Sequence, residues 1–196
     1  MTNIAIKYGG TVDKYIGDAI MIFFGDPHSM GTKKDALACV SMALEMKKKL
    51  RKLKKDWERT GLSESLDVRM GIHTDVCTVG NFGSSDRLDY TVLGNGVNLA
   101  SRLESMAGAN EILISENTHN LVNKEIQSQF FSEITVKGKA HPVKAYQVLG
   151  TVSKKIKRDI IKASEDGFKL NLDKTKIKNK ENIISILEDS IDRLLN

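Results

Sequence analysis

The stretch 32–60 constrains the fold most. Apolar side chains recur at Leu37, Val40 and Leu44, then at Met46, Leu50, Leu53 and Trp57. The steps of three and four within each run predict one long helix with a buried stripe. The slip between Leu44 and Met46 turns the stripe slightly round the helix. Thr32 and Asp35 supply an S/T-x-x-D start signal, and Gly61 suits the stop.

Strand signals lie on both sides of this helix. Residues 11–24 predict a β-hairpin: β-formers at 11–15, the turn pair Gly17-Asp18, and a run at 19–24 that is apolar on both faces, as in a strand buried inside a sheet. Residues 66–72 alternate as a half-buried strand, and 76–82 return as a second strand of the same hairpin. A strand at 87–92, a helix at 97–106, a strand at 111–115, a helix at 115–123, and paired strands at 130–136 and 143–149 follow. Strands interspersed with helices indicate an α+β domain with a mixed, mostly antiparallel sheet. The texture changes after Gly150. Residues 151–181 are Lys-rich and weakly periodic, read as loop with short helices. Ile184, Leu187, Ile191, Leu194 and Leu195 make a terminal amphipathic helix that fits against the domain or a second chain. The expected division is 1–149 and 150–196.

Composition excludes several classes. Hydrophobic residues make up 40% and charged residues 28% of the 196, which is globular. No apolar run reaches the ~18 residues that span a bilayer, and the first residues lack the pattern of a secretory leader. Cys39 and Cys77 read as small buried thiols rather than a disulfide framework. The expected location is cytoplasmic, with a membrane anchor allowed in a longer parent chain. The formal charge of +5 is mild. The basic run Lys47–Lys55 falls on the predicted helix away from its stripe, as a solvated face, with nucleic-acid binding the weaker reading.

Three stretches carry chemistry. Asp18 sits in a turn that favours Gly-Asp for backbone reasons, yet a carboxylate on rigid strands also suits a hard divalent cation. Lys14, in an otherwise β-forming stretch, wants a specific acceptor. Asn98 and Arg102 are four apart and share one helix face, while Leu99, Leu103 and Met106 take another. The glycines before that helix expose backbone N–H groups that favour an anion, and arginine offers a planar donor fork suited to phosphate. By spacing alone, this face serves a phosphate or is a plain polar surface. Lys137 and Lys139 suit a phosphate tail or a charged turn.

In order, the stretches 9–21, 70–74, 79–83, 89–95, 97–103 and 136–139 resemble the catalytic domain of class III nucleotidyl cyclases, the adenylate and guanylate cyclases, over about residues 5–149. The resemblance implies a ferredoxin-like βαββαβ-type fold and a reaction in which the ribose 3′-oxygen of ATP attacks its own α-phosphate and pyrophosphate leaves. It implies two Mg²⁺ or Mn²⁺ ions, and a head-to-tail homodimer or pairing with another cyclase domain, with sites at the interface. Asp18 matches the second of two metal-binding aspartates. Lys14 and Thr91 match the base-reading positions in the adenylate pattern, and Thr91 resembles a bacterial-type subgroup with some bicarbonate-responsive members. Asn98 matches the ribose-orienting residue, Arg102 the residue that stabilises charge at the α-phosphate, and Lys137 the polyphosphate lysine. Asp18 serves one site while the others serve the second. The chain departs from the pattern at Asp75, where glycine is usual, and at Asn95-Gly96, where Asp-Thr is usual. Residues 1–8 match the end of the second helix, so the family's first strand and first metal aspartate have no counterpart in these 196 residues. The expected function is adenylate cyclase, weak or inactive in this chain alone. The alternative is a non-catalytic nucleotide-binding or partner-binding module. No nucleic-acid partner and no membrane segment are expected.

Overall fold

A computed structural model describes residues 1–61, 66–84, 86–135, 142–152, 160–174 and 176–195. Two compact units emerge, Met1–Val152 and Ser153–Asn196. The first contains α1 (Thr2–Lys7), β1 (Thr11–Ile16), β2 (Ala19–Phe23), α2 (Thr32–Arg59), β3 (Met70–Ile72), β4 (Thr78–Ser84), β5 (Arg87–Leu93), α3 (Asn95–Met106), β6 (Ile112–Ser115), α4 (Glu116–Val122), β7 (Ile126–Ile134) and β8 (Val143–Thr151).

The central sheet has the order β3-β6-β8-β7, with β3 parallel to β6 and the other pairs antiparallel. All four residues of β6 are buried, because helices cover both of its faces. Ile112 and Ile114 pack with Ala36, Val40 and Ala43 of α2 and with Val122 and Val148. Leu113 points the other way, to Leu99 and Leu103 of α3 and to Ala145. A strand covered on both sides reads as a continuous apolar run, and the period of two decides which helix each side chain meets. The α2 stripe also reaches a third cluster, where Met42 and Met46 meet Ala5 of α1, with Val12 and Ile22 of the first hairpin packed against them.

Several expectations are corrected. The stretch 66–72 is a strand only over Met70–Ile72 and forms no hairpin with 76–82. Instead β3 pairs with β6, and β4 pairs with β5. Among the described residues, 66–69 have no strand partner. Their polar members bond through side chains: Asp67 with Lys54 and Asn110, and Arg69 Nε with Glu104 at 3.0 Å. The β2 run is half-buried rather than enclosed, since β1 is its only strand partner among the described residues. The helix start at Thr32 works differently from a capping box. Gly31 is the N-cap, and the Asp35 carboxylate accepts from the Met30 N–H at 3.0 Å and the Ser29 hydroxyl. Cys39 and Cys77 are half-buried free thiols. Burial pushes Cys39 up to about 12, so it stays protonated. Strand β7 begins at Ile126 rather than at 130.

Unit two departs furthest from the sequence reading. Part of the Lys-rich stretch is a hairpin, β9 (Ile160–Glu165) and β10 (Phe168–Asp173), turning at Asp166-Gly167. Asp-Gly between two runs that contain β-formers is a hairpin signal that charge density obscured. The terminal helix α5 (Lys180–Leu195) forms, and none of its residues is buried.

Helix α1 is tied to α2 by Glu45, which accepts from Lys7 Nζ at 2.8 Å and from the Tyr8 hydroxyl at 2.8 Å. The hydrogen bond from Lys7, then that from Tyr8, lowers the Glu45 carboxyl below its ordinary range, and the bond to Glu45 raises Lys7. The Glu45 contribution is complete above the ordinary carboxylate value and is lost as pH falls through the lowered one. The Lys7 contribution is present below the ordinary lysine value and is lost as pH rises through the raised one. Glu45→Gln is therefore expected to lower stability modestly at neutral pH, leave the acid end nearly unchanged and so flatten the acid limb of the profile, as measured by urea unfolding at stepped pH.

Candidate active site

The first hairpin turns at Gly17-Asp18. Gly17 takes φ +62, a backbone region costly for side-chain-bearing residues, so the turn places its positive φ on the first central residue. This leaves Asp18 exposed at the hairpin tip, where its side chain makes no hydrogen bond or ion pair with the described residues.

Lys14 lies in β1 beside a bulge. Val12 opposes Ile22 and Lys14 opposes Met21, so Asp13 is the extra residue. A bulge re-aims side chains that alternation would send to opposite faces. Here it leaves Lys14 Nζ 3.8 Å from Asp13 Oδ2. The Asp13 side chain is 1% exposed and that of Lys14 is 43% exposed. Asp13 Oδ2 also accepts from the Thr91 hydroxyl at 2.8 Å. Thr91 is a buried residue of β5. Lys14 and Thr91, 77 positions apart in sequence, are thus brought together through Asp13. Sequence reasoning gave Asp13 no role, although an acid beside a lysine in a β-forming stretch was the signal. A second tie between the same regions runs from the Tyr90 hydroxyl to the Asp26 carboxylate, which raises the tyrosine above its ordinary value.

Strand β5 passes through Gly94 directly into α3. Leu99 and Leu103 are buried by the sheet, so Asn98 and Arg102, on another face, are exposed. Arg102 Nη1 donates to the Thr135 carbonyl at 3.1 Å, just beyond the end of β7. Lys137 and Lys139 lie outside the described residues. Helix α3 begins without a side-chain cap, and the Val97 N–H turns back to the Gly94 carbonyl at 3.2 Å. Behind it, His73 Nδ1 meets Ser115 Oγ at 2.7 Å, and its Nε2 meets Asp75 Oδ2 at 3.3 Å. Ser115 is fully buried and caps α4 through Thr118 N–H, so this is a structural bracket. Asp75, a departure from the family pattern, has its carboxylate used here and by the Val76 N–H.

Among the described residues, no group of three or more His, Cys, Asp or Glu side chains is placed to hold a metal ion. Asp18 is a single exposed carboxylate, and Mg²⁺ sites draw one or two carboxylates from protein. No helix of the described residues is long and apolar enough to cross a membrane.

The chain belongs to the adenylate and guanylate cyclase catalytic domain family, which it matches over residues 4–150. It is similar to the terminal-differentiation-specific adenylate cyclase of Dictyostelium discoideum, 34% identical over 146 residues, covering 72% of this chain and 7% of that protein. It is also similar to the adenylate cyclase of Anabaena cylindrica, 35% identical over 146 residues, covering 71% of this chain and 28% of that protein. Among solved structures, the adenylyl cyclase CyaB from P. aeruginosa superposes with a TM-score of 0.73 at 50% identity, covering 78% of each chain. The chain thus spans less than a third of the length of these two curated relatives, and the fold of its first unit is that of a cyclase catalytic domain.

Proposed function

We propose that residues 1–149 act as an adenylate cyclase domain, converting ATP to cyclic AMP and pyrophosphate. The observation that supports this most is the exposed Asn98/Arg102 face of α3, which follows directly from the β5 strand that carries Thr91. In this reading Lys14 and Thr91 hold the base, Asn98 orients the ribose, Arg102 meets charge developing at the α-phosphate, and Lys137 meets the polyphosphate. Asp18, at the hairpin tip, serves the reciprocal site of a head-to-tail dimer, formed by two copies or with another cyclase domain. Mg²⁺ or Mn²⁺, held by Asp18 and the triphosphate, would neutralise phosphate charge and favour the ionised 3′-oxygen. The residues beyond the first unit, 153–196, are assigned as a separate tail.

These 196 residues hold one of the two carboxylates that the reading calls for, so turnover by them alone is expected to be low. The purified chain should convert ATP slowly or not at all in Mg²⁺ or Mn²⁺. Mixed with a related cyclase domain that carries both aspartates but whose own counterpart of Arg102 is replaced by alanine, it should restore cyclic AMP formation, since this chain supplies the missing arginine across the interface. Robust turnover by the chain alone, abolished by Asp18→Ala, would overturn the expectation of low activity. No restoration in the mixture, with the two domains shown to associate, would favour a binding module without catalysis.

A further inference from the structure

We infer that Asp13 is a positioning residue for nucleotide choice: it fixes the polarity of the Thr91 hydroxyl, and so sets the site to take adenine over guanine. This rests on the reading of Lys14 and Thr91 as the base-holding pair, and deepens it.

A carboxylate buried to 1% exposure is expensive unless it does something its neighbours need. Asp13 receives little for that burial. Oδ2 accepts from Thr91 at 2.8 Å and lies 3.8 Å from the Lys14 ammonium. Oδ1 is buried with no hydrogen-bond partner among the described residues. The bulge that points Asp13 inward also leaves it unpaired in the β1–β2 register. Bulges of this kind recur where a side chain must be re-aimed at a site.

The consequence follows from donor and acceptor counting. A hydroxyl has one hydrogen and two acceptor lone pairs, and an ionised carboxylate only accepts. With Asp13 Oδ2 taking the Thr91 hydrogen, the hydroxyl has only acceptor capacity left for a ligand. Lys14 has only donors. The pair therefore offers one donor and one acceptor. The Watson–Crick edge of adenine, an N1 acceptor beside an N6 amino donor, is the complement. Guanine in the same pose presents the reverse, an N1–H donor beside an O6 acceptor, so its donor faces the ammonium and its acceptor faces the hydroxyl lone pairs. Sites built to pair specific polar groups reject analogues that leave those groups unmatched.

The amide of Asp13→Asn can donate to Thr91 Oγ1, which frees the hydroxyl hydrogen to face the ligand. With the full chain and titration calorimetry against ATP and GTP, this variant is expected to reduce the ATP-over-GTP preference about tenfold, by the scale of one lost base-edge discrimination. Thr91→Ser should keep the preference. Thr91→Val should lose it, and adding Asp13→Asn to Thr91→Val should change nothing further, since Asp13 acts through that hydroxyl. An unchanged preference in folded Asp13→Asn, with Thr91→Val still reducing it, would overturn the Asp13 assignment and leave the base-holding pair standing. Binding of neither nucleotide by the unsubstituted chain, or a Thr91→Val variant that keeps the full preference, would overturn the base-holding reading and this inference with it. Should Asp13→Asn fail to fold, Asp13→Glu, which retains the acceptor, must keep the preference, and its loss in a folded Asp13→Glu would likewise overturn the assignment. A purely packing role would lower the melting temperature without moving the ratio.

Discussion

Arg102→Ala is expected to lower cyclic AMP formation roughly 10²–10³-fold in the mixed dimer described above, with little change in nucleotide affinity. Charge accumulates on the α-phosphate oxygens only as the 3′-oxygen approaches, so a guanidinium aimed there is felt more in the transition state than in the bound substrate. The loss is that of one preorganised donor, ~3–4 kcal/mol of barrier. The fold should be nearly untouched. Arg102 is exposed, and its one hydrogen bond among the described residues goes to the Thr135 carbonyl. Leu99 and Leu103, which hold α3 to the sheet, lie on another face of the helix. The checking measurements are the initial rate at saturating ATP and the melting temperature. Arg102→Lys should recover only part of the rate, because a compact ammonium lacks the planar fork. A variant that loses rate and melting temperature together would instead mark Arg102 as a structural clamp on the end of β7.

Gly71→Ala carries the second large effect, this time on stability. Gly71 lies in β3 where the strand passes under α3. A Cβ placed there would sit 2.2 Å from the Ala100 carbonyl oxygen and 2.2 Å from the Glu104 nitrogen. Both atoms are helix backbone, so no rotamer change relieves the overlap. The strand and helix must move apart, disturbing Ile72 in the cluster beneath α2 and Leu103 in the cluster beneath α3. Overpacking of this kind costs ~3 kcal/mol, the upper end of the usual range. Urea denaturation should show a lower midpoint at nearly unchanged slope. Because α3 carries Asn98 and Arg102, a folded Gly71→Ala chain is also expected to lose activity in the mixed dimer. An unchanged midpoint would mean that α3 has room to shift.

Local pattern and long-range pairing contributed differently to what was legible in the sequence. Helix α2 was readable because its stripe is set by residues three and four apart, and its end at Arg59 lies one residue from the expected one. The first hairpin was readable from Gly17-Asp18 between two β-forming runs. Strand pairing was not. The alternation over 66–72 promised a hairpin with the next strand, but only Met70–Ile72 pairs, and it does so with β6 forty-two residues on. Alternation shows that one face of a strand is buried and says nothing of which strand lies beside it. The β9–β10 hairpin is hidden in the sequence because the lysines around it resemble loop composition.

The candidate site divides in the same way. Lys14, Asp18, Thr91, Asn98 and Arg102 stand out in sequence because their types and order follow a family pattern, and the shared face of Asn98 and Arg102 follows from helical spacing alone. Asp13 does not stand out, for its meaning depends on a bulge in β1 and on a hydrogen bond to a residue 78 positions away. Residue identity and short-range periodicity were enough for the family, the helical stripes and the inventory of reactive side chains. Which strands pair, why β3 needs a glycine under α3, and that a buried carboxylate takes the hydroxyl hydrogen of Thr91 emerge in the folded chain alone. Those are contacts between distant segments, and no local rule of spacing encodes them.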